Sequence, residues 1–374
     1  MPNKKIVVTG AAGLLGQNLI PHLDRNPQDT VVAIDKHPQN VAILRRLHPE
    51  LRVVEADLAE AGAWQQELEG CTHLVIAHAQ IGGLYHEEFV RNNIQASERL
   101  METAVRCQVQ YAVNISSSVV NSMAVDFYTE TKKAQEALTL ASGIRQVVLR
   151  PTLMFGWFDR KHIGWLSRFM HKSPVFPIPG DGRYLRQPLF VGDFAEIVAS
   201  SLESGIEGAY NITGLERIDY IDLIRLLKEA TGAKTRIQKV PYALFKLLLQ
   251  TNALVDKNPA FTVKQLEALT TPDIFEVIDW PGIFGIEATP LREALRITFQ
   301  DPVYSKVVLE FCASAAEVPQ GHAHPLPPGR KPQFLRTCDG GAEASPLQSN
   351  HHVYATTSNG RIMSLASCSR MWQW

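Results

Sequence analysis

Cysteine is scarce here and shows no pattern. Five residues (Cys71, Cys107, Cys312, Cys338 and Cys368) are scattered through 374, with no C-x-x-C spacing. That argues against a structural zinc and for a reducing compartment. An excess of one charge is also missing. Lys and Arg number 37 against 38 Asp and Glu, a net charge of −1, so charge alone draws neither nucleic acid nor an acidic partner. No apolar run reaches the length of a bilayer span. The most apolar stretch, residues 242–255, is interrupted by Lys246, Gln250 and Asn252. It is expected to be a packed helix rather than one lying on a membrane surface. No signal-peptide pattern precedes the first strand, so a cytoplasmic setting is expected. What is present is an apolar fraction of 45%, in a chain long enough for two domains with a large core.

Glycine is placed with a pattern. Ile6-Val7-Val8-Thr9 reads as a short buried strand that runs into Gly10-Ala11-Ala12-Gly13-Leu14-Leu15-Gly16. Gly10 suits a left-handed turn off the strand. Gly13 lets backbone approach phosphates, and Gly16 lets the next helix pack close to the sheet. Leu14 and Leu15 open that helix, whose N-terminal amides and positive dipole end suit an anion. The spacing is G-x-x-G-x-x-G, not the G-x-G-x-x-G of most dinucleotide folds. A plain strand-to-helix packing turn would use the same glycines, so the reading as a pyrophosphate seat leans on the acid and the strands downstream of the turn.

Residues 30–34 read as a second strand ending in Asp35. A carboxylate about twenty residues past such a loop accepts hydrogen bonds from a ribose 2′-hydroxyl and repels a 2′-phosphate. NAD is therefore favoured over NADP, although Lys36 is adjacent; the bland reading of Asp35 is a solvated strand-end acid. A third strand, residues 51–55, delivers Asp57 and Leu58. A fourth, residues 72–77, delivers Ala77, and small residues there leave room for adenine and ribose. Strands alternating with helical stretches (Leu14–Leu23, 41–47, Ala63–Leu68) predict a parallel sheet with right-handed crossovers.

The candidate catalytic groups come next. A fifth strand, residues 110–115, ends in Ser116-Ser117-Ser118. Tyr128 and Lys132 lie further on, at i and i+4 of a helical stretch running to about residue 140, hence on one helix face. A free tyrosine, with a pKa near ~10, is a poor acid or base at neutral pH. A nearby ammonium favours the phenolate. A serine at the strand end can hydrogen-bond the reacting oxygen. In isolation, Tyr-x-x-x-Lys is most often a surface helix pair. Behind this glycine turn and serine-tipped strand it reads as a proton-transfer set serving hydride exchange with a nicotinamide.

Thr9-Gly10-x-x-Gly13-x-x-Gly16, Asp57-Leu58, Asn93, Ser116 to Ser118, Tyr128-x-x-x-Lys132 and Leu149-Arg150-Pro151 fall in an order that resembles the short-chain dehydrogenase/reductases. The chain looks most like their extended branch, the NAD-dependent epimerase/dehydratase family acting on nucleotide sugars. Residues 149–156, 180–193, 210–214 and 289–295 resemble that branch's later segments, so the likeness covers about residues 4–300. The resemblance implies Gly10, Gly13 and Gly16 at the pyrophosphate, Asp35 at the adenosine ribose, and Asp57 with Leu58 at the adenine. It implies Tyr128 as acid/base, with Lys132 lowering its pKa and binding the nicotinamide ribose. Ser118, or Ser117 if the strand ends a residue earlier, would hold the reacting oxygen. Asn93 is expected to tie its helix to a strand. Arg186 would clamp a substrate phosphate, with a salt bridge to Asp181 or Asp193 as the competing role. A homodimer through helices around residues 87–106 and 127–140 is also implied by the resemblance.

Some features depart from that pattern. Val120-Asn121-Ser122 stands where the family shows a V-Y-G-like trio, and the interval from Ser118 to Tyr128 is shorter than in most epimerases. No acid flanks the serines as in sugar dehydratases, so a 4,6-dehydratase is not expected. Between residues 239 and 297 the likeness thins, and that part also resembles atypical members that bind cofactor without turnover.

The expected architecture is α/β: a Rossmann-type doubly wound parallel sheet in residues 1–155, completed by parts of 186–215. A smaller C-terminal substrate lobe is expected mainly from 156–300, with Trp157, Phe158 and Trp165 either lining its cleft or forming core. Residues 313–374, rich in Pro, Gly, Ser and His without periodicity, are expected to be a disordered tail. His322, His324, His351 and His352 lack acidic or cysteine partners at metal spacing, so no metal site is expected there. Asn359-Gly360 suits a short hairpin. The expected activity is NAD-dependent epimerisation or oxidoreduction of a nucleotide sugar or similar hydroxylated substrate. The alternatives are a non-catalytic NAD(P)-binding accessory or sensor protein and a ketone- or steroid-type reductase.

Overall fold

The computed structural model describes residues 3–23, 27–123, 126–255, 262–271 and 275–309, all within one unit. The expectations about the tail, its histidines and the Asn359-Gly360 hairpin lie outside these residues. In the first half, β1 (Lys5–Thr9), β2 (Thr30–Asp35), β3 (Arg52–Glu55), β4 (His73–Ile76), β5 (Tyr111–Ile115) and β6 (Arg145–Pro151) are strands. Between them run α1 (Leu14–Leu23), α2 (Pro38–Leu47), α3 (His86–Phe89), α4 (Ala96–Arg106) and α5 (Phe127–Ala141). The later strands are β7 (Met154–Phe155), β8 (Val175–Pro179), β9 (Leu185–Arg186), β10 (Leu189–Phe190), β11 (Gly208–Ile212), β12 (Ile218–Asp219) and β13 (Arg236–Val240). The later helices are α6 (Ile163–Lys172), α7 (Val191–Ser204), α8 (Tyr220–Thr231), α9 (Tyr242–Val255), α10 (Val263–Thr270), α11 (Trp280–Phe284) and α12 (Leu291–Gln300).

Seven strands form one sheet in the order β11-β6-β5-β4-β1-β2-β3, every pair parallel. Both faces are covered, which is why the strands are apolar throughout. Successive side chains point to opposite faces. Ile6 and Val8 join one core cluster with Leu15 and Leu19 of α1 and Phe194 of α7. Val7 joins the other with Leu100 and Met101 of α4 and the buried Trp64. The strand order reverses between β1 and β4, and the crevice at their C-terminal ends is where such sheets take ligands. The glycine turn leaves β1 at that point.

Local chemistry shifted several expected boundaries. α2 begins at Pro38, ahead of the expected residue 41, because proline suits the first helical turn. Residues Ala63–Leu68 form a 3₁₀ helix rather than an α-helix. α5 starts where the Asp126 carboxylate accepts the Thr129 N–H at 2.9 Å. Residues Val90–Gln95 form a π-helix, a wide turn that recurs at functional sites.

A third cluster gathers Phe155, Leu166, Phe176, Tyr220, Leu227 and Leu295 from α6, α8, α12 and the strands between them. Residues 242–255 are helical as expected, but not packed as expected. Leu247 and Leu248 are each 55% exposed, because among the described residues little lies over that face. No helix among the described residues is long and apolar enough to cross a membrane.

Candidate active site

Gly10 leaves β1 with φ +66°, and a Cβ there would lie 2.6–2.7 Å from the backbone of Ala77 and His78. A Cβ on Gly16 would lie 2.4 Å from Ala11. Neither position can carry a side chain. Gly13 is different: its Cβ would meet the Gly10 carbonyl oxygen at 3.2 Å, so its bare backbone serves approach rather than packing. Two glycines are needed for the turn to close, and the third leaves its mouth open at the N-terminus of α1. The turn is tied to β2 through Asp35, whose Oδ2 accepts the Ala12 N–H at 3.0 Å and whose Oδ1 accepts the His37 N–H at 3.0 Å. Burial raises the Asp35 pKa, against the pull of those backbone bonds. A cradle of backbone and glycine beside a helix N-terminus fits a dinucleotide pyrophosphate.

Asp57 lies at the end of β3. Its Oδ1 accepts the Ala59 N–H at 3.0 Å, while Oδ2 accepts from Arg91 at 2.5 Å and from the Lys36 ammonium at 3.4 Å. Burial works against its charge, but Arg91, Ala59 and Lys36 outweigh that and hold its pKa below the usual range. Lys36 also donates to the Asn92 side chain at 2.5 Å. Leu58 points into the core, 6% exposed. Ala77, half-buried, donates its N–H to the Thr9 carbonyl at 3.2 Å and so lies under the glycine turn.

β5 ends at Ile115, so the three serines diverge. Ser116 is buried and donates to Glu136. Ser117 caps a 3₁₀ turn, Ser118–Asn121, its Oγ accepting the Val119 N–H at 3.4 Å. The Ser117 hydroxyl also acts on Tyr128, favouring its phenolate. Ser118, first in the expected order, instead begins that turn and is half-exposed. The serine beside the tyrosine is therefore Ser117, because Ser118 is taken into the 3₁₀ turn that Ser117 caps. Burial raises the Tyr128 pKa against the effect of Ser117. Lys132, 1% exposed, donates to the Ile115 carbonyl at 2.9 Å and to Gln135 Oε1 at 2.5 Å. Burial brings its pKa down to about 7, with Glu136 pulling the other way.

Several residues here were not singled out from the sequence. Glu136 pairs with Arg150, whose Nε donates at 3.1 Å, so one carboxylate joins α5 to β6 and to Ser116. Burial disfavours its charge, but Arg150 and Ser116 hold its pKa low. Gln135 and Glu136 stand at i+3 and i+4 from Lys132, and that spacing was the available signal. Asn93, which was singled out and expected to tie its helix to a strand, instead bonds the Gln80 backbone at 2.6 Å and 3.2 Å and Thr131 Oγ1 at 3.0 Å. It ties its helix to the loop after β4 and to α5.

Arg186 donates to the Thr271 carbonyl at 2.9 Å and lies over the Tyr184 ring, 5.5 Å from its centroid. Asp193, its suggested partner, has both oxygens taken by Thr289, at 3.0 Å and 2.6 Å. Arg186 edges a cavity of about 40 Å³ lined by Leu153, Ile163, Leu166, Leu223 and Leu269, with His162 beside them. Trp157 packs tilted on Tyr304 with ring centroids 4.7 Å apart, the buried Phe158 packs on the same ring, and Trp165 stacks on Phe169.

Comparison with known proteins bears on this arrangement. The model of the NAD dependent epimerase/dehydratase family matches residues 6–213. A ceramide reductase from Caulobacter vibrioides is 24% identical over 277 residues, covering 72% of this chain and 81% of that protein. An uncharacterized UDP-glucose epimerase, YtcB, from Bacillus subtilis is 27% identical over 274 residues, covering 62% and 84%. Among solved structures, UDP-glucuronic acid 4-epimerase from Bacillus cereus, in complex with UDP-glucuronic acid and NAD, superposes with a TM-score of 0.63. It is 22% identical and covers 79% of this chain and 98% of that one. Its likeness carries the fold. The family model spans more than half of the chain, including the glycine turn, the β5 serines and the Tyr128–Lys132 helix. The chain belongs to the NAD dependent epimerase/dehydratase family.

Proposed function

We propose that this chain is an NAD-dependent epimerase or oxidoreductase of a nucleotide sugar or similar hydroxylated substrate, with Ser117, Tyr128 and Lys132 as its acid–base set. The observation that carries the reading is the Ser117–Tyr128 hydroxyl pair just beyond β5, one helical turn from Lys132. Gly10, Gly13 and Gly16, with the α1 amides at Leu14 and Leu15, would hold the NAD pyrophosphate. Asp35 would hold the adenosine ribose, and Asp57 and Ala77 would bound the adenine. NAD, when bound, supplies the site that accepts and returns a hydride. Lys36 is engaged by Asp57 and Asn92, which favours NAD over the phosphorylated cofactor.

Tyr128 would give a proton to a carbonyl oxygen and recover it from an alcohol, with Ser117 favouring its phenolate against the effect of burial. Ser117 would orient that oxygen. Lys132, part-protonated near its pKa of about 7, would hold the nicotinamide ribose. Arg186 would meet a substrate phosphate with a planar guanidinium. Positioned acid–base groups of this kind contribute typically ~10²–10⁴-fold in rate. Tyr128→Phe should therefore lose turnover by about that factor, while NAD binding measured by calorimetry stays intact. The assay is a panel of UDP- and dTDP-hexoses with products read by mass spectrometry. Turnover equal in wild type and variant would remove Tyr128 from the mechanism.

A second reading, a ketone- or steroid-type reductase, is favoured by one feature. Half of the residues walling the cavity beside Arg186 are leucine and isoleucine, which suits an apolar substrate part. The same panel, extended with acyl and sterol ketones, separates the two.

A further inference from the structure

A buried hydrogen-bonded chain runs from Lys132 to the strand that carries the glycine turn. Lys132 Nζ lies 2.5 Å from Gln135 Oε1. Gln135 Nε2 lies 2.8 Å from Ser97 Oγ and 3.3 Å from the His78 carbonyl. Ser97 Oγ lies 2.9 Å from His78 Nε2, and His78 Nδ1 lies 2.9 Å from Thr9 Oγ1. Thr9 Oγ1 lies 3.2 Å from the Val75 carbonyl. Thr9, Ser97, Lys132 and Gln135 are all at most 1% exposed.

With Lys132 charged, the direction of each bond is set by the two ends. An ammonium only donates, so Gln135 must turn its oxygen to Lys132 and its NH₂ to Ser97 and the His78 carbonyl. A carbonyl only accepts, so Thr9 spends its one hydrogen on Val75 and must accept from His78 Nδ1–H. His78 Nε2 is then bare and accepts from Ser97. The set closes without conflict for one tautomer, neutral imidazole with its proton on Nδ1. The charged groups acting on this ring are Lys132 from α5, Lys36 after β2 and Asp57 after β3.

We infer that His78, Ser97 and Gln135 are positioning residues: a one-way strut that holds the Lys132 ammonium against β1, where the glycine turn begins. Reversal of any link would set donor against donor at Lys132 or acceptor against acceptor at Val75. The strut cannot carry protons, because an amide stands in its path. Its role is to fix where the ammonium sits and to keep it charged. Gly10 packs against the backbone of His78, so the strut and the turn share a wall. This inference rests on the reading of Lys132 as a site residue.

The test uses the full-length chain and needs no substrate. Long-range ¹⁵N spectra of labelled histidines, assigned with His78→Leu, should show His78 with a bare Nε2 and no titration between pH 7 and 5. A proton on Nε2, or titration in that window, overturns the strut. Titration of ¹³Cε-labelled lysine gives the second readout. Gln135→Leu removes an acceptor from the ammonium and should lower the Lys132 pKa by about one unit, a tenfold change. Gln135→Glu restores the acceptor with a charge and should raise that pKa above wild type. A merely structural role would not produce opposite shifts, and an unmoved Lys132 in both variants overturns the inference. Ser97→Ala, which removes one oxygen, should give an intermediate lowering; no shift there counts against the chain as drawn. If the strut fails while Tyr128→Phe still abolishes turnover, the functional reading stands without it.

Discussion

In β1, Ile6, Val7 and Val8 are buried on alternating faces beneath helices, and each is at most 2% exposed. In α9, Leu244, Leu247 and Leu248 are 47%, 55% and 55% exposed. The two segments are similarly apolar, yet only one is held on all sides. A strand inside a doubly wound sheet has neighbours in every direction. A helix of the later segment has what its loops bring to it. The contrast extends to polar groups. Lys132, Gln135, Ser97 and Thr9 are buried and joined in a chain, whereas the ion pairs Arg183–Asp219, Arg292–Glu229 and Lys246–Glu267 join largely solvent-facing side chains. The region at the sheet ends is over-determined, as the cofactor seat and acid–base set proposed for it would require. The later region keeps the tolerance that lets a substrate pocket vary.

That contrast can be broken or sharpened by substitution. The largest expected effect is Gly16→Val, since even a Cβ would lie 2.4 Å from Ala11. It should abolish NAD binding and lower the melting temperature steeply, as a backbone collision in the core costs upward of ~3 kcal/mol. Retained NAD affinity would break the packing role of that glycine. Leu19→Ala, at a 0% exposed position of α1, should cost about 2–5 kcal/mol in urea unfolding.

Third comes pH dependence. Burial and nearby lysines bring the His78 pKa down to about 3. Between pH 6.5 and 3 the unfolded chain takes a proton that the folded one refuses, so this group makes stability fall as pH is lowered. From pH 7 to 5 the loss is about 2 kcal/mol, and His78→Leu should remove that component of the slope. An unchanged slope would sever His78 from the buried chain. Smallest is Leu248→Ser on α9, expected within about 0.5 kcal/mol of wild type. A larger loss would show that something covers this face in solution.

The sheet was legible because its signals are local. The apolar runs at residues 6–9 and 30–34, the glycine spacing and the alternation of strands with helices each depend on period and turn chemistry. Tyr128 and Lys132 were legible because i and i+4 share a helix face whatever the helix packs on. Which serine meets Tyr128 was not, since that depended on the 3₁₀ turn after β5, which Ser117 caps and Ser118 begins. Ser116 turned to Glu136, and Ser117 rather than Ser118 met the tyrosine. The contact of Ser117 with Tyr128 was not legible either. The sequence pointed to Lys132, whose hydrogen bonds go to Ile115 and Gln135. In the later segment, Arg186 was legible as a cation near a site, but not its contact with Thr271, 85 positions away.

From the sequence alone came a parallel α/β sheet, a glycine turn off its first strand, an acid at the end of its second, and a tyrosine and lysine on one helix face. These arise from backbone preference and side-chain period, which act over a few residues. Tertiary structure alone decided that His78, Ser97 and Gln135 meet in one chain, that Asp57 binds Lys36 and Arg91, and that Leu247 and Leu248 of α9 stay exposed among the described residues. Those outcomes depend on strand order. β4 lies beside β1 and β5, and that adjacency brings residues 9, 78, 97 and 135 within hydrogen-bond reach, where no local rule relates them.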